Sequence, residues 1–303
     1  VLSANGTEES RWLIHTNENV EVPEYLRESI NADINTPDKL KEAKTFDLSF
    51  AIALDKNSKL KRLEREESVI YTYLPTSFRF GSEGFPFLVN ANFITDAGRQ
   101  QLHKDSEWNK LIFSKIPSEF LLWIKEISSV YRNYWEVLPE KSYGRSNALE
   151  TIYAEKMEKA ISEIAFIPSL KNGMGKLLAS EAFMDRMSIS DSISIDALVC
   201  HINRTYTRAF DSNNQIENVW KGSRILNSYG VFIFDKQKLK SLFEDECAFE
   251  SITPEFNAKL IKFLFEYYSQ NRSEQEELIS VLQTTRFLLD ESGVLCMPNE
   301  LFF

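Results

Sequence analysis

The stretch GFPFLVNANFITDAGRQQLHKDSEWNKLI, from Gly84 to Ile112, changes character twice along its length. It begins as an apolar run typical of a buried strand, passes through a short polar turn, and ends with the spacing of an amphipathic helix. A single arginine, Arg99, occupies the turn. The stretch therefore predicts a strand–turn–helix corner with a cation at its centre.

Four segments in the first part of the chain have the composition of strands and are separated by long connections. They are apolar, or rich in β-branched and aromatic residues. The predicted strands are Arg11–Asn17, Thr45–Leu54, Ser68–Pro75 and Phe85–Ile94. A short helix is predicted over Pro23–Ile34, with a proline in its first turn. This arrangement favours an α/β fold with a mixed sheet and flanking helices over an all-β sandwich.

A long amphipathic helix is predicted after Arg99, because apolar residues recur at three- and four-residue steps from Leu102 to Ile127. Pro117 is expected to kink or divide this helix. Polar and turn residues then cluster at 138–147, followed by another predicted helix at 148–164. The cluster predicts a division into an α/β domain of residues 1–140 and a second, helix-rich α/β domain of residues 141–303.

Two stretches in the second part of the chain share the same sequence pattern. Each has a phenylalanine with apolar neighbours, a polar turn with glycine, a short apolar run, and a glutamate followed closely by phenylalanine. They span Ala165–Phe183 and Arg286–Phe303, and each predicts a β-hairpin leading into a helix start. Helices are predicted between them at Gln237–Glu244 and Asn257–Gln270.

Charge and hydropathy exclude some classes of partner. The formal net charge is −10, so the chain repels nucleic acid phosphates unless it carries a local basic patch. Lys56–Glu66 is mixed in sign and predicts an exposed hairpin loop, not such a patch. No apolar run approaches the length of a membrane span, and no signal peptide is predicted. The chain begins with valine, which is expected of a piece cut from a longer protein.

The cysteines predict a reducing compartment, the cytoplasm. Cys200, Cys247 and Cys296 are odd in number and far apart, a pattern that argues against a zinc site. Cys200 and His201 are neighbours and so are expected on different sides of any regular element. We expect a buried thiol beside a half-exposed imidazole, with a cysteine hydrolase using this pair as an open alternative.

Two stretches have part of a nucleotide-binding motif. Lys171–Leu178 is similar to a phosphate loop but has Leu177 where serine or threonine is required. Glu28 and Asn31 are spaced by three residues, whereas the Glu-x-x-x-Asn-Ala box of the GHKL ATPases has a spacing of four, and no Asp-x-Gly-x-Gly follows. No complete nucleotide pocket is therefore predicted, and an independent enzyme is not expected.

Three consecutive motifs resemble one family. YTYLPT (Tyr71–Thr76), GFPFLVNANFITDAGRQQL (Gly84–Leu102) and EWNKLI (Glu107–Ile112) are similar to the region that follows the heat-shock-90-like GHKL ATPase domain in sacsin-type proteins. The downstream stretches Ala165–Ser169 and Arg286–Pro298 also resemble units of that family. The resemblance is most specific over residues 69–112 and touches most of the chain.

The resemblance implies a fold and a role for the turn. The fold would be that of the heat-shock-90 middle domain, in which an arginine from such a corner reaches the γ-phosphate of ATP. Here that residue is Arg99, with Gln100 and Gln101 as further donors. ATP and Mg²⁺ would be held mainly by an N-terminal GHKL domain in cis, outside this chain. The segment would relay the ATPase cycle of a chaperone-like or bacterial defence machine, with a protein client or partner subunit.

The corner also departs from the family pattern. Gly98 replaces an acidic residue or asparagine before the arginine, and Gln100 replaces a glutamate after it. Gly98 is expected to relax the backbone so that Arg99 can swing outward. The alternative role is structural, with Arg99 capping the sheet edge or pairing with Asp96 or Asp105. The alternative function is a non-catalytic protein-interaction scaffold, for which exposed phenylalanine-rich patches are expected.

Overall fold

The structure, a computed structural model, describes residues 2–3, 9–171, 175–270 and 276–301. The chain divides into two compact units, Val1–Phe166 and Ile167–Phe303. Both combine helices with sheet, which confirms the predicted α/β class with a mixed sheet.

The first unit is built on one mixed sheet. Its strands are β1 (Leu2–Ser3), β2 (Glu9–Glu21), β3 (Thr45–Leu54), β4 (Leu60–Lys61), β5 (Ile70–Thr72), β6 (Leu74–Pro75) and β7 (Leu88–Asn90). The order across the sheet is β1-β2-β3-β7-β5-β6, with β4 paired to β3. Strands β5 and β7 are parallel, and the other pairs are antiparallel.

Strand β3 defines the buried face of this sheet. Phe46, Leu48, Phe50 and Ile52 alternate along it and are all buried. This is the period of two expected for a strand with one face on the core. The Phe50 ring meets Phe87 edge-on at 5.8 Å between centroids. The predicted bounds of this strand are confirmed.

Two strands are shorter in the structure than their predicted bounds. The predicted strand Ser68–Pro75 is split into β5 and β6, because Tyr73 takes a left-handed conformation (φ 62°) and the chain reverses there. The predicted strand Phe85–Ile94 pairs only over Leu88–Asn90. Its phenylalanines belong to the aromatic core, which gives the apolar run its strand-like appearance.

The helices of the first unit are α1 (Arg27–Ala32), α2 (Asp38–Lys41), α3 (Glu107–Ile127) and α4 (Ala148–Glu163). Helix α3 is not divided by Pro117, contrary to one of the two outcomes expected. Its predicted apolar stripe is buried, with Ile112, Ile116 and Phe120 fully inaccessible.

Helix α4 packs along α3 and therefore belongs to the first unit. Leu149, Tyr153 and Met157 of α4 are completely buried. The division consequently falls after Phe166, beyond this helix, and not at the polar cluster near residue 140. The turn residues at 138–147 mark a loop inside the unit.

The second unit has a small parallel sheet at its centre. Strand β10 (Phe183–Asp185) lies between β11 (Gln215–Ile216) and β12 (Phe232–Phe234). Around it are helices α5 (Ser190–Ile193), α6 (Ile195–Tyr206), α7 (Ser223–Tyr229), α8 (Lys236–Phe243), α9 (Pro254–Gln270) and α10 (Glu276–Leu282). None of the helices in the described ranges has the length and hydropathy needed to cross a membrane.

The predicted hairpin repeat is present in the second unit. Strands β8 (Ile167–Pro168) and β9 (Lys176–Leu177) pair antiparallel, as do β13 (Leu288–Leu289) and β14 (Leu295–Cys296). In both copies a glutamate carboxylate then accepts the backbone N–H three residues earlier, Glu181 from Leu178 and Glu300 from Met297. The tip of the first hairpin, residues 172–174, and the end of the second copy, residues 302–303, lie outside the described residues.

Candidate functional site

The strand–turn–helix corner that carries Arg99 is stabilised by Trp108 and Asn109, the Trp-Asn pair of the EWNKLI motif. Trp108 Nε1 donates to the Asn92 carbonyl at 2.9 Å. The fully buried Asn109 accepts from the Ile94 N–H and donates to the Ile94 carbonyl, both at 2.8 Å. The Trp-Asn pair thus ties the first turn of α3 to the segment that follows β7, and the motif has a structural explanation.

The turn itself is closed by Asp96. The Arg99 N–H donates to the Asp96 carbonyl at 3.0 Å, and the Asp96 carboxylate accepts from the Gln100 N–H at 2.8 Å. The left-handed residue is Arg99 (φ 55°), whereas Gly98 has an ordinary φ. The expectation that Gly98 supplies the conformational freedom is therefore wrong, because the unusual backbone geometry lies at the arginine.

The Arg99 side chain folds back onto the edge of its own sheet. Its Nη2 donates to the Thr72 carbonyl at 2.7 Å and to the Leu74 carbonyl at 3.1 Å. Its Nε is buried and has no hydrogen-bond partner in the described part of the chain. The geometry is that of the predicted sheet-edge cap.

Arg99 forms no ion pair with Asp96, Asp105 or another carboxylate of the described ranges. The guanidinium is half-buried and is held by neutral acceptors. Hydrogen bonds between two charged groups are stronger than those to neutral carbonyls. The site therefore carries a positive charge that a phosphate could engage more strongly than its present partners do.

The two carbonyls that accept hydrogen bonds from Arg99, those of Thr72 and Leu74, flank the turn at Tyr73. Asn90 Oδ1 accepts from the Tyr73 N–H at 2.9 Å, and Asn92 Oδ1 accepts from the Tyr73 hydroxyl at 2.8 Å. Tyr73 and Leu74 are nevertheless 74% and 61% exposed. An arginine without a carboxylate thus lies beside two exposed apolar side chains.

Gln100 and Gln101, the other predicted phosphate donors, are both exposed next to Arg99 in the chain. Among the described residues, the hydrogen-bond partners of the Arg99 guanidinium are the carbonyls of Thr72 and Leu74. The candidate site on this chain consists of the arginine and its two glutamine neighbours.

The predicted burial of Cys200 and His201 is wrong in both respects. Cys200 is exposed, and His201 has no accessible surface. The side-chain separation is as expected, since the thiol lies on the outer face of α6 and the imidazole on its inner face. The buried imidazole is hydrogen-bonded to Asp245 instead, so His201 is not placed to act as the base that a cysteine hydrolase would require at Cys200.

The buried His201 lies at the centre of a hydrogen-bond network that the sequence did not indicate. Its Nδ1 is 2.8 Å from Asp245 Oδ2, and its Nε2 is 3.3 Å from the Ser241 hydroxyl. Arg204 also bonds to Asp245. The residue types are those of a hydrolase triad. However, the imidazole is inaccessible, and Ser241 Oγ lies 2.7 Å from the Lys238 carbonyl within its own helix.

The protonation of this network follows from its surroundings. Burial lowers the pKa of His201 below its ordinary value, and the hydrogen bond to Asp245 only partly opposes this. Burial works to raise the pKa of Asp245, but the bonds from Arg204 and His201 outweigh it and the net shift is downward. A neutral imidazole beside a carboxylate is the favoured state, and the network joins α6 to α8.

No group of three or more histidine, cysteine, aspartate or glutamate residues in the described ranges is placed to hold a metal ion. Comparisons of the chain with family models, with curated proteins and with solved structures gave no match. The resemblance to sacsin-type proteins and to the heat-shock-90 middle domain therefore stays a prediction from the motifs.

Proposed function

We propose that this chain is a middle segment of a sacsin-like, heat-shock-90-like ATPase. In this proposal Arg99 contacts the phosphates of ATP that a GHKL domain outside the chain holds together with Mg²⁺. The segment relays the resulting closure to a protein client or partner subunit of a chaperone-like or defence machine. It contributes to an ATPase without having a complete active site of its own.

The observation that carries this proposal is the uncompensated guanidinium at the sheet corner. Arg99 is half-exposed, and within the described part of the chain its guanidinium donates only to the backbone carbonyls of Thr72 and Leu74. A phosphate oxygen offers a charged acceptor, and an arginine binds phosphate through a planar fork of N–H donors. Exchange of the carbonyls for phosphate oxygens couples the presence of ATP to the position of the corner.

The exposed neighbours of Arg99 support docking of another domain at this place. Tyr73 and Leu74 present apolar surface beside the guanidinium. Aromatic and aliphatic groups at the centre of an interface exclude water, and an ionic contact is stronger where water is excluded. Gln100 and Gln101, also exposed, serve as secondary donors to the phosphates or to the docked domain.

The test measures ATP turnover after a GHKL ATPase domain of the sacsin type is joined ahead of the chain. Arg99→Ala is compared with wild type, with Arg99→Lys, which keeps the charge but loses the fork, and with the exposed Arg79→Ala as a matched control. Arginines of this kind contribute about 10³–10⁵ in rate. We expect Arg99→Ala to lose activity on that scale, Arg99→Lys to lose less, and Arg79→Ala to be unaffected.

Circular dichroism of each variant separates a catalytic loss from unfolding. A folded Arg99→Ala protein with less than about a twofold change in turnover would remove Arg99 from catalysis. That outcome would favour the second candidate function, a non-catalytic interaction scaffold.

One observation favours the scaffold directly. Phe265 is 74% exposed and Ile261, one helical turn earlier on α9, is 49% exposed. They form a small apolar patch, but Phe265 is the single phenylalanine with a highly exposed ring among the described residues. The phenylalanine-rich surface that a scaffold was expected to show is thus reduced to one position, and we place the ATPase segment first.

A further inference from the structure

The parallel sheet of the second unit has a strand order that opens a crevice at one edge. Strand β10 comes first in the chain and lies in the middle, with β11 on one side and β12 on the other. In parallel sheets of this order, the loops that follow the first and third strands lead away from each other and leave a gap between them. Ligands bind in the gap at the carboxyl ends of the strands.

A cavity of about 1060 Å³ lies at this edge. Residues that follow the three strands line it: Arg186 and Met187 directly after β10, Asp235 directly after β12, and Trp220 four positions after the last residue of β11. The facing wall comes from α9. Its volume lies just above the range of about 300–1,000 Å³ for small-molecule sites.

The cavity wall contains a cation stacked on an exposed ring. The Arg186 guanidinium carbon lies 3.6 Å from the centroid of the Trp220 ring. Trp220 remains 69% exposed despite this contact. Arg186 Nε is buried without a hydrogen-bond partner, and no carboxylate of the described ranges forms an ion pair with this arginine. The stacking fixes the plane of the guanidinium, and its positive charge has no carboxylate counter-ion among the described residues.

The other charged groups of the wall are mixed in sign. The Asp235 carboxylate lies 3.3 Å from the ammonium nitrogen of Lys238, and the Glu266 carboxylate lies 3.8 Å from that of Lys262. These carboxylates are therefore partly neutralised, whereas Arg186 is not. Asp191 is exposed at the same wall and offers carboxylate oxygens to hydroxyl groups. Phe263 adds aromatic surface from α9.

We infer that this cavity binds a mononucleotide. The flat base lies against the exposed Trp220 ring, since base–aromatic stacking is favourable for every base. The phosphate accepts hydrogen bonds from Arg186, which forms no ion pair with a carboxylate of the described ranges, and the sugar hydroxyls donate to Asp191. This ligand site belongs to the second unit and is separate from the proposed role of Arg99 in the first.

The test uses the full 303-residue chain and titrates it with AMP, GMP, CMP and UMP by calorimetry and tryptophan fluorescence. At least one nucleotide is expected to bind with a dissociation constant below about 1 mM. Binding quenches the fluorescence of Trp220, and Trp220→Phe abolishes most of that quenching. Adenosine and inorganic phosphate, each carrying half of the ligand chemistry, are expected to bind at least about tenfold more weakly than AMP.

Variants locate the ligand. Arg186→Ala is expected to weaken nucleotide binding by about tenfold or more, because it removes charge-assisted hydrogen bonds. Trp220→Ala is expected to act similarly through lost stacking. The control, Arg224→Ala, removes a positive charge from an exposed position of the same unit outside the cavity wall and is expected to change binding by less than about twofold.

Three results would overturn this inference: no binding of any of the four nucleotides, unchanged binding in both Arg186→Ala and Trp220→Ala, or equal binding of AMP and inorganic phosphate. If Arg186→Ala does not fold, Arg186→Lys keeps the stem and charge and is still expected to bind several-fold more weakly. A negative outcome leaves the Arg99 proposal untouched, since that proposal is measured as ATP turnover with the GHKL domain attached.

Discussion

Asn109 shows how one buried amide can hold a functional corner in place. Its side chain serves both the N–H and the carbonyl of Ile94 and also donates to the His103 carbonyl at 3.0 Å. The Ile94 carbonyl also accepts from the His103 N–H at 3.1 Å, whereas the partner of the Ile94 N–H is the Asn109 amide. A buried backbone group without a partner is costly, so the asparagine is what allows this segment to leave the sheet.

Replacing Asn109 by alanine is therefore expected to destabilise the first unit strongly. The Ile94 N–H loses its partner, which costs about 1–3 kcal/mol, whereas the Ile94 carbonyl keeps its hydrogen bond from the His103 N–H. Urea unfolding followed by tryptophan fluorescence measures this loss, because Trp108 is buried beside the altered site. The neighbouring Lys110→Ala removes only a partly exposed ion pair with Glu107 and is expected to cost below about 1 kcal/mol. Equal effects of the two variants would contradict the role of the amide.

The EWNKLI motif predicts a helix but not the hydrogen-bond partners of its side chains. Trp-Asn in EWNKLI predicts a helix start, and the structure places both side chains on the preceding segment at Asn92 and Ile94. Periodicity specifies which positions are buried, but it does not specify partners fifteen residues away. The same limit applies to Arg99, whose carbonyl acceptors come from β5 and β6. The sequence indicates the cation at the turn, and only the fold shows where its side chain is held.

At the scale of elements, prediction succeeded where one physical signal dominated. Strand β3 alternates cleanly and α3 carries strong apolar periodicity, so their positions followed from the sequence. The segment Ser68–Pro75 was harder, because its β-branched and aromatic residues favour a strand throughout. The reversal at Tyr73 depends on the amide of Asn90 from another strand, which local composition does not encode.

The packing of α6 against α8 leads to a pH-dependent stability. The pKa of buried His201 is lowered from its ordinary value of 6.5, chiefly by burial. As the pH falls below 6.5, the unfolded chain binds a proton on this histidine before the folded chain does, so the free energy of unfolding decreases. The decrease continues until the pH reaches the lowered pKa of the folded state. The second unit is expected to lose stability as the pH falls through 6.5 towards the lowered pKa of folded His201.

His201→Gln removes this titration and is expected to flatten the pH dependence of the second unit. Urea unfolding by circular dichroism at several pH values measures the slope for wild type and variant. His103→Gln, a half-exposed histidine of the first unit, serves as the control and should retain the wild-type slope. An unchanged slope in His201→Gln would show that other groups produce the pH dependence.

At the scale of the whole molecule, the division into two units depends on where the apolar faces are covered. The polar cluster at 138–147 has the composition of a linker, which is why it predicted a domain boundary. However, α3 is buried along most of its length, and part of that burial comes from α4 beyond the cluster. Composition locates loops, whereas a boundary also requires that both sides have complete cores.

Two truncations distinguish the boundaries. A fragment of residues 1–166 contains both α3 and α4 and is expected to unfold cooperatively on heating. A fragment of residues 1–140 lacks α4, so the surface of α3 that contacts Tyr153 and its neighbours becomes exposed to water. Leucine, methionine and tyrosine side chains buried from α4 each contribute about 1.5–3 kcal/mol, a large fraction of the stability of a domain of this size. We therefore expect the shorter fragment to aggregate or to lack a sharp thermal transition by circular dichroism. A cooperative transition of the 1–140 fragment at the same temperature as that of 1–166 would return the boundary to the polar cluster and would show that α4 is dispensable for the fold that holds Arg99.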